Sequence, residues 1–229
     1  LVGYKRGKYN FTDILSLNKM GWMVGLQMGL ETALFSITGI MIGWLGSIAL
    51  AAHQVMVAIS TLGFMIYYGV GAAVSVRVSN YFGRQELLHV RRTTMAGFHL
   101  ILCLAVCACT VFLFSRELIG YLFTTSEEVI RVVSTLVYIL LAYQFGDALQ
   151  ITYANSLRGI GDVISMAVIS FIGYFLIAMP VCYICGFVLE WGITGIWIGY
   201  PIGLTLTGVM LCGRYYWKLK TKTQSTEFY

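Results

Sequence analysis

Long stretches without lysine or arginine limit this chain to a membrane-spanning fold. No lysine or arginine occurs from Gly21 to Val76, and a second such stretch runs from Val132 to Leu157. A helix crosses the hydrocarbon core of a bilayer in about 20 residues, so the first stretch is long enough for two crossings. The chain also has only 11% charged residues, whereas soluble domains carry about 25%. We therefore expect an integral membrane protein.

Polar connectors divide the chain into six expected spans. Charged residues cluster between Arg77 and Arg92 and between Arg116 and Glu128, while Gly43–Ser47 has the glycines and tryptophan typical of a tight exposed turn. We predict an all-α, six-helix transmembrane bundle, with an amphipathic lead-in at residues 1–20 and a basic, frayed tail at residues 214–229. The six helices are expected at about residues 21–44, 53–76, 95–114, 131–154, 164–188 and 194–213.

The basic residues are distributed unequally between the two sides of this bundle. If the connectors alternate between sides, only Arg116 and Arg131 of the 15 lysines and arginines fall on one side. Basic connectors concentrate in the cytoplasm. We expect both ends of this segment to be cytoplasmic and the protein to be a multi-pass protein of the plasma membrane. Because the chain begins with Leu1, we also expect it to be part of a longer protein.

Two acidic residues, Glu31 and Asp147, lie in the middle of expected spans. A carboxylate at that depth costs at least about 2.5 kcal/mol and usually marks a partner or a pathway. Tyr143 and Gln150 share a helix face with Asp147, and the two acids lie at similar depths on helices that run in the same direction. Carboxylate, hydroxyl and amide oxygens suit Na⁺ or a proton. We predict a cation site of Glu31, Tyr143 and Asp147, whose two carboxylates would ligate the metal ion if that ion is Na⁺; the alternative is that each acid only bonds to neighbouring groups.

Further polar residues are candidates for a secondary lining of the same pathway. His53 and Gln54, at the start of the second helix, could serve as a proton relay or as a polar anchor. The three histidines have no metal-ligand spacing and no glycine loop precedes GK[ST], so we expect neither an enzyme nor a cofactor beyond a coupling ion. The candidate lining residues are Gln27, Thr38, His53, Gln54, Gln144 and Gln150.

Six sequence strings together resemble one family of transporters. The chain is similar to the C-terminal half of a multidrug and toxic compound extrusion (MATE) transporter of the NorM-like branch, over about residues 21–217. It departs from that family in lacking two prolines, at the positions of Met23 and Val24 and of Tyr67. The strings are GLQMGLE at 25–31, LAAHQV at 50–55, GAAVSVRVSNYFG at 71–83, YQFGDALQ at 143–150, LRGIGD at 157–162 and GIWIGYPIGL at 195–204.

The resemblance implies an antiporter that expels amphipathic or cationic drugs in exchange for Na⁺ or H⁺. It implies two six-helix lobes with alternating access, a missing N-terminal lobe as partner, and a cation site at Glu31, Tyr143 and Asp147. Membrane lipids are the other expected partners, and nucleic acid is not one. The alternatives are a lipid or oligosaccharide flippase of the same superfamily, disfavoured because no lysine or arginine lies inside an expected span, and a truncated product without function.

Overall fold

The computed structural model describes residues 11–227, and side chains as far as Lys222. The described residues form helices and short turns, without strands. Six helices are long and apolar enough to cross a membrane, which confirms the predicted all-α bundle of six spans. They are α1 (Phe11–Gly43), α2 (Ser47–Gly83), α3 (Leu87–Phe114), α5 (Glu127–Gly159), α6 (Val163–Val188) and α7 (Gly192–Glu227), with the short α4 (Arg116–Phe123) between α3 and α5.

Several helices extend beyond the expected spans at one end of the bundle, where α2, α5 and α7 end and α3 and α6 begin. We call this the basic end. The expected connector between residues 77 and 94 is in fact mostly helix, since α2 continues to Gly83 and α3 begins at Leu87. Arg77, Arg91 and Arg92 are exposed on these helix ends. Long basic side chains can reach water from such positions, so they do not interrupt the helices.

Both expected flanks are also helical where the structure describes them. Residues 11–20 are the first turns of α1, whereas residues 1–10, with Lys5, Arg6 and Lys8, lie outside the described residues. The expected frayed tail from Arg214 instead continues α7. It stays helical because Tyr215 and Leu219 are buried against the bundle, and the Tyr215 hydroxyl lies 2.8 Å from Oγ1 of Thr94 on α3.

The centre of the bundle is formed by α5 and α7, the two most buried spans. Their contact surface includes Tyr153 and Leu211, while α2 and α3 pack on the other side of α5. Helix α1 packs mainly against α6 and leaves a cleft toward α2. This arrangement places the middle of α5 in the interior of the protein and the inner face of α1 beside it.

Helix α6 alternates between two kinds of helical turn. The α-helical segments Val163–Phe171 and Met179–Tyr183 are each followed by a wider π-helical segment, Ile172–Ala178 and Ile184–Val188. Inside the first π-helical segment, Gly173 faces α7 so closely that an added Cβ would overlap Oγ1 of Thr207. The next residue, Tyr174, is fully buried and points into the space between α1 and α5.

Candidate cation site

Asp147 lies about one turn past the midpoint of α5 and has no exposed surface. Neither of its carboxylate oxygens has a hydrogen-bond partner among the described residues. An unpartnered polar group in such a place is unfavourable by several kcal/mol, and more if it is charged. The side chain is therefore held in a position that calls for a further ligand, a proton or a cation.

Glu31 lies on α1 and is half-buried, beside this part of α5. Its Oε2 accepts a hydrogen bond from Nε2 of Gln27 at 3.4 Å and another from the hydroxyl of Tyr174 at 3.3 Å. The Tyr174 hydroxyl in turn accepts a short hydrogen bond from Nε2 of Gln150 on α5. Glu31 is thereby connected to α5, and its carboxyl group is near enough to that of Asp147 for the two to interact electrostatically.

Arg158, near the end of α5, extends this polar cluster. Its Nη2 donates to Oε1 of Gln27 at 3.4 Å, and its Nη1 donates to Oδ1 of Asn155 at 3.3 Å and to the hydroxyl of Tyr68 at 3.4 Å. Because a guanidinium group only donates, it fixes the amide oxygen of Gln27 toward itself. The amide nitrogen of Gln27 must then face Glu31.

A cavity of about 210 Å³ opens between α1 and α2 on the other side of Glu31. Tyr143, one turn before Asp147 on α5, lines this cavity together with Glu31. The remaining wall combines hydroxyl groups with apolar and aromatic surface, a mixture that suits an amphipathic molecule with a positive charge. These further lining residues are Met28, Thr32, Phe35, Val57, Ser60, Thr61 and Phe64.

The structure places the candidate lining residues in different surroundings. Gln27 and Gln150 belong to the polar cluster described above. Gln144 is buried against α2, where its amide lies beside Gly63, and neither amide atom has a partner among the described residues. Thr38 lies two turns from Glu31 and instead joins α1 to α7 through a short hydrogen bond with Tyr200, while its hydroxyl donates to the carbonyl of Leu34 at 2.7 Å.

His53 and Gln54 line a second cavity between α1 and α2, of about 550 Å³, nearer the end at which α2 begins. His53 is buried with its ring edge-on to Trp197, and its Nδ1 has no partner among the described residues. Thr32, Phe35 and Val57 line both cavities. The structure therefore does not bring His53 to the two acids, although it places it along the same cleft.

Two members of the site, Tyr174 and Arg158, are not among the residues predicted from the sequence. Tyr174 is one of 15 tyrosines and shows no distinctive pattern. Arg158 was assigned to a connector, but it follows Asp147 by about three turns of helix and so lies on the same face. Extending the helix as far as Arg158 would have revealed it. The expectation that no lysine or arginine lies inside a span is wrong at this position, because Arg158 belongs to α5 and is partly buried.

The available oxygens decide what kind of cation the site could hold. No group of three or more His, Cys, Asp or Glu side chains that could hold a metal ion occurs among the described residues. A metal ion at Glu31 and Asp147 would need hydroxyl or amide oxygens to complete its ligands, and Tyr143 and Gln150, each about one turn from Asp147 on α5, are candidates. Such a mixed, weak oxygen set fits Na⁺ or a proton better than a transition metal.

A family model described as MatE matches residues 24–184. This chain belongs to the MatE family. It is 34% identical over 220 residues to the multidrug resistance protein NorM of Photobacterium profundum, covering 94% of this chain and 47% of that protein. It is 32% identical over 217 residues to NorM of Aliivibrio fischeri, covering 93% of this chain and 47% of the relative.

The fold is also that of solved MATE transporters. The crystal structure of the eukaryotic MATE transporter AtDTX14 superposes with a TM-score of 0.84 at 20% identity, over 95% of this chain and 51% of that one. The chain spans about half the length of the curated relatives it matches.

Proposed function

We propose that this chain is the C-terminal, ion-binding lobe of a multidrug exporter that is driven by Na⁺ or H⁺. The observation that carries the proposal is Asp147, a carboxyl group without exposed surface and without a hydrogen-bond partner among the described residues, near Glu31. Family membership adds support, since the MatE relatives are named multidrug resistance proteins.

The coupling ion would bind at Glu31 and Asp147, with Tyr143 contributing its hydroxyl oxygen. An ion shifts a conformational equilibrium only by its difference in affinity for the two states. Glu31 lies on α1, whereas Asp147 lies on α5, so a relative movement of these helices would change the distance between the two carboxyl groups. The ion would therefore favour the conformation in which the two acids are close.

The substrate would be an amphipathic or cationic small molecule in the cavity between α1 and α2. Glu31 lines this cavity and accepts hydrogen bonds from the polar cluster at the same time. A positively charged drug and the coupling ion would compete for its carboxylate. Their mutual exclusion is the simplest basis for exchange of one for the other.

The expected surroundings of the chain belong to the same proposal. The arginines of the basic end favour a cytoplasmic location for that end of the plasma-membrane bundle, and with it both ends of this segment. Because the chain spans about half the length of its relatives, it would act together with a second, N-terminal set of six helices. Substrate would then bind between the two lobes.

The test is ethidium efflux from cells that express the chain joined to the N-terminal lobe of a NorM relative. Imposed Na⁺ and H⁺ gradients are compared, with Glu117→Gln as a control because Glu117 is an exposed acid far from the site. Efflux that follows one gradient, and is lost in Glu31→Gln, supports the proposal and identifies the ion. Absence of gradient-driven efflux from a protein shown to be in the membrane contradicts it.

A flippase for anionic lipids or oligosaccharide lipids is a second candidate, and Arg158 is the observation in its favour. Its guanidinium is partly buried in the cluster beside Glu31, where it could meet a phosphate group. The discriminating measurement is transfer of a fluorescent anionic lipid between leaflets of reconstituted vesicles. Lipid transfer without ethidium efflux would favour the flippase, and the reverse result would exclude it.

A further inference from the structure

The hairpin of α2 and α3 at the basic end contains a groove that the proposed transport does not use. It has a volume of about 410 Å³. Its floor is the point at which the two helices nearly touch, where Gly97 packs directly on Val74. The remaining walls are mostly small or aliphatic, and two arginines, Arg77 on α2 and Arg92 on α3, stand among them. The full lining is Val70, Ala73, Val74, Arg77, Arg92, Thr93, Ala96, Gly97 and Leu100.

The two arginines lie at matched depth. Arg77 precedes the end of α2 by about 9 Å of helix and Arg92 follows the start of α3 by about 8 Å. They therefore meet at one mouth of the groove, with the aliphatic wall extending from them toward the middle of the bundle. A ligand that fits this arrangement has a negatively charged head and an apolar tail.

Among the described residues no acidic side chain pairs with Arg77 or Arg92. The guanidinium group of Arg77 instead donates a hydrogen bond to the hydroxyl of Tyr81 at 3.4 Å and lies 6.0 Å from the centroid of its ring. The hairpin connector has a single acid, Glu86, which lies 3.5 Å from His89. Two guanidinium groups without a counter-ion at the edge of an apolar groove attract an anion.

The groove faces outward from the protein. Only 17% of the spanning part of α3 is buried, the smallest share of the six described spans. Leu100 and Ala96, at the inner end of the groove, are exposed. An exposed apolar surface at membrane depth contacts acyl chains.

We propose that this groove is a binding site for an anionic phospholipid, with the phosphate between Arg77 and Arg92 and an acyl chain along Ala73, Ala96 and Leu100. Basic pockets between transmembrane helices recognise lipid headgroups in this way. The neighbouring Arg91 provides a contrast, because its guanidinium lies 5.6 Å from the ring centroid of Tyr216, on α7, and it does not line the groove. Charge alone therefore does not define the site.

The test is native mass spectrometry of the purified chain in detergent with phosphatidylglycerol or phosphatidylcholine. Each basic residue near an anionic lipid contributes about fivefold in affinity, so Arg77→Gln/Arg92→Gln should bind phosphatidylglycerol about 30-fold more weakly. The matched control is Arg84→Gln/Arg91→Gln, which removes the same charge outside the groove and should retain binding. Ala96→Phe retains both arginines but fills the groove, and it should also lose the lipid.

Several results would overturn the proposal. An equal loss of phosphatidylglycerol binding in both double variants would mean that the lipid is held by diffuse electrostatic attraction to the basic end. Unchanged binding in Ala96→Phe would show that the acyl chain does not lie in the groove. Displacement of the lipid by millimolar inorganic phosphate would show that the groove binds a simple anion. Circular dichroism of each variant establishes that the helices are intact, so that a loss of binding reflects the groove.

Discussion

Arg158 donates to Gln27 across the boundary between α5 and α1, at 3.4 Å from Nη2 to Oε1, although the two residues are 131 positions apart in the chain. The hydrogen bond fixes which end of the Gln27 amide faces Glu31. Arg158 is therefore a positioning residue for the candidate cation site, because it acts on Glu31 through Gln27 and, among the described residues, forms no hydrogen bond with the carboxylate itself.

Replacement of Arg158 by glutamine should lower the affinity of the site for the coupling ion by about tenfold. Changes to groups that orient metal ligands typically cost 10–100-fold in affinity. The loss arises because the Gln27 amide is free to rotate once its partner is removed. The measurement is the Na⁺ or H⁺ concentration that gives half-maximal efflux, with maximal efflux recorded separately. Arg116→Gln is the control, because Arg116 pairs with Glu117 at the opposite end of the bundle. Identical half-maximal concentrations in wild type and Arg158→Gln would contradict this role.

Asp147→Asn should reduce ion-driven efflux at least about tenfold, without lowering the stability of the protein. The amide has nearly the shape of the carboxyl group but cannot be ionised, and the native carboxylate oxygens have no hydrogen-bond partner to lose among the described residues. Removing a buried ionisable group without a partner does not destabilise a fold. Efflux and the thermal unfolding midpoint in detergent are measured together. A variant that unfolds at a clearly lower temperature would show that Asp147 supports the fold.

The sequence predicted the spans well and the polar cluster only in part. Apolar stretches without basic residues report directly on membrane crossing, so the six helices and the two acids at their centres could be found. Arg158 was not found as a site residue, because helix ends at a membrane surface tolerate charge and the end of α5 was predicted too early in the chain. The boundary error moved one basic residue from a helix face to a connector.

Tyr174 was hidden for a different reason. It lies in the π-helical segment Ile172–Ala178, whose wider turns shift every side chain from the face that an α-helical period assigns to it. Its contact with Glu31 also depends on how α6 packs against α1, which involves partners 143 residues apart. Periodicity within one helix carries no information on such a contact.

Asp162→Asn should destabilise the protein at neutral pH and have little effect in acid. Burial alone would raise the pKa of Asp162, but Arg214 at 2.7 Å and the Ser165 hydroxyl at 2.8 Å stabilise the carboxylate, and its pKa is lowered from 3.8. A pKa lower in the folded state than in the unfolded state adds stability above the unfolded value, and this stability is lost as the pH falls through the folded value.

The measurement compares thermal unfolding of wild type and Asp162→Asn at about pH 7 and about pH 3. The difference between the two proteins should be largest at the higher pH and shrink in acid. Ser165→Ala, which removes only the hydroxyl donor, should give a smaller difference with the same trend. A difference that does not depend on pH would mean that the ion pair with Arg214 contributes nothing.

Gly173→Ala should destabilise the bundle by about 1–3 kcal/mol, the usual cost of an extra methyl group in a tightly packed interior. The new Cβ would overlap Oγ1 of Thr207, so α6 and α7 would have to separate or the Thr207 side chain would have to rotate. Because Tyr174 follows directly in the chain, the same shift would move its hydroxyl relative to Glu31 and weaken ion binding.

Gly213→Ala is the matched control for this substitution. Gly213 also lies within a helix, α7, and an added Cβ there meets no atom within 4 Å. Alanine at that position should leave stability unchanged or raise it by up to about 1 kcal/mol, because alanine favours helix more than glycine does. If both variants unfolded at the same temperature as wild type, the close approach of α6 and α7 at Gly173 could not be what holds Tyr174 in place.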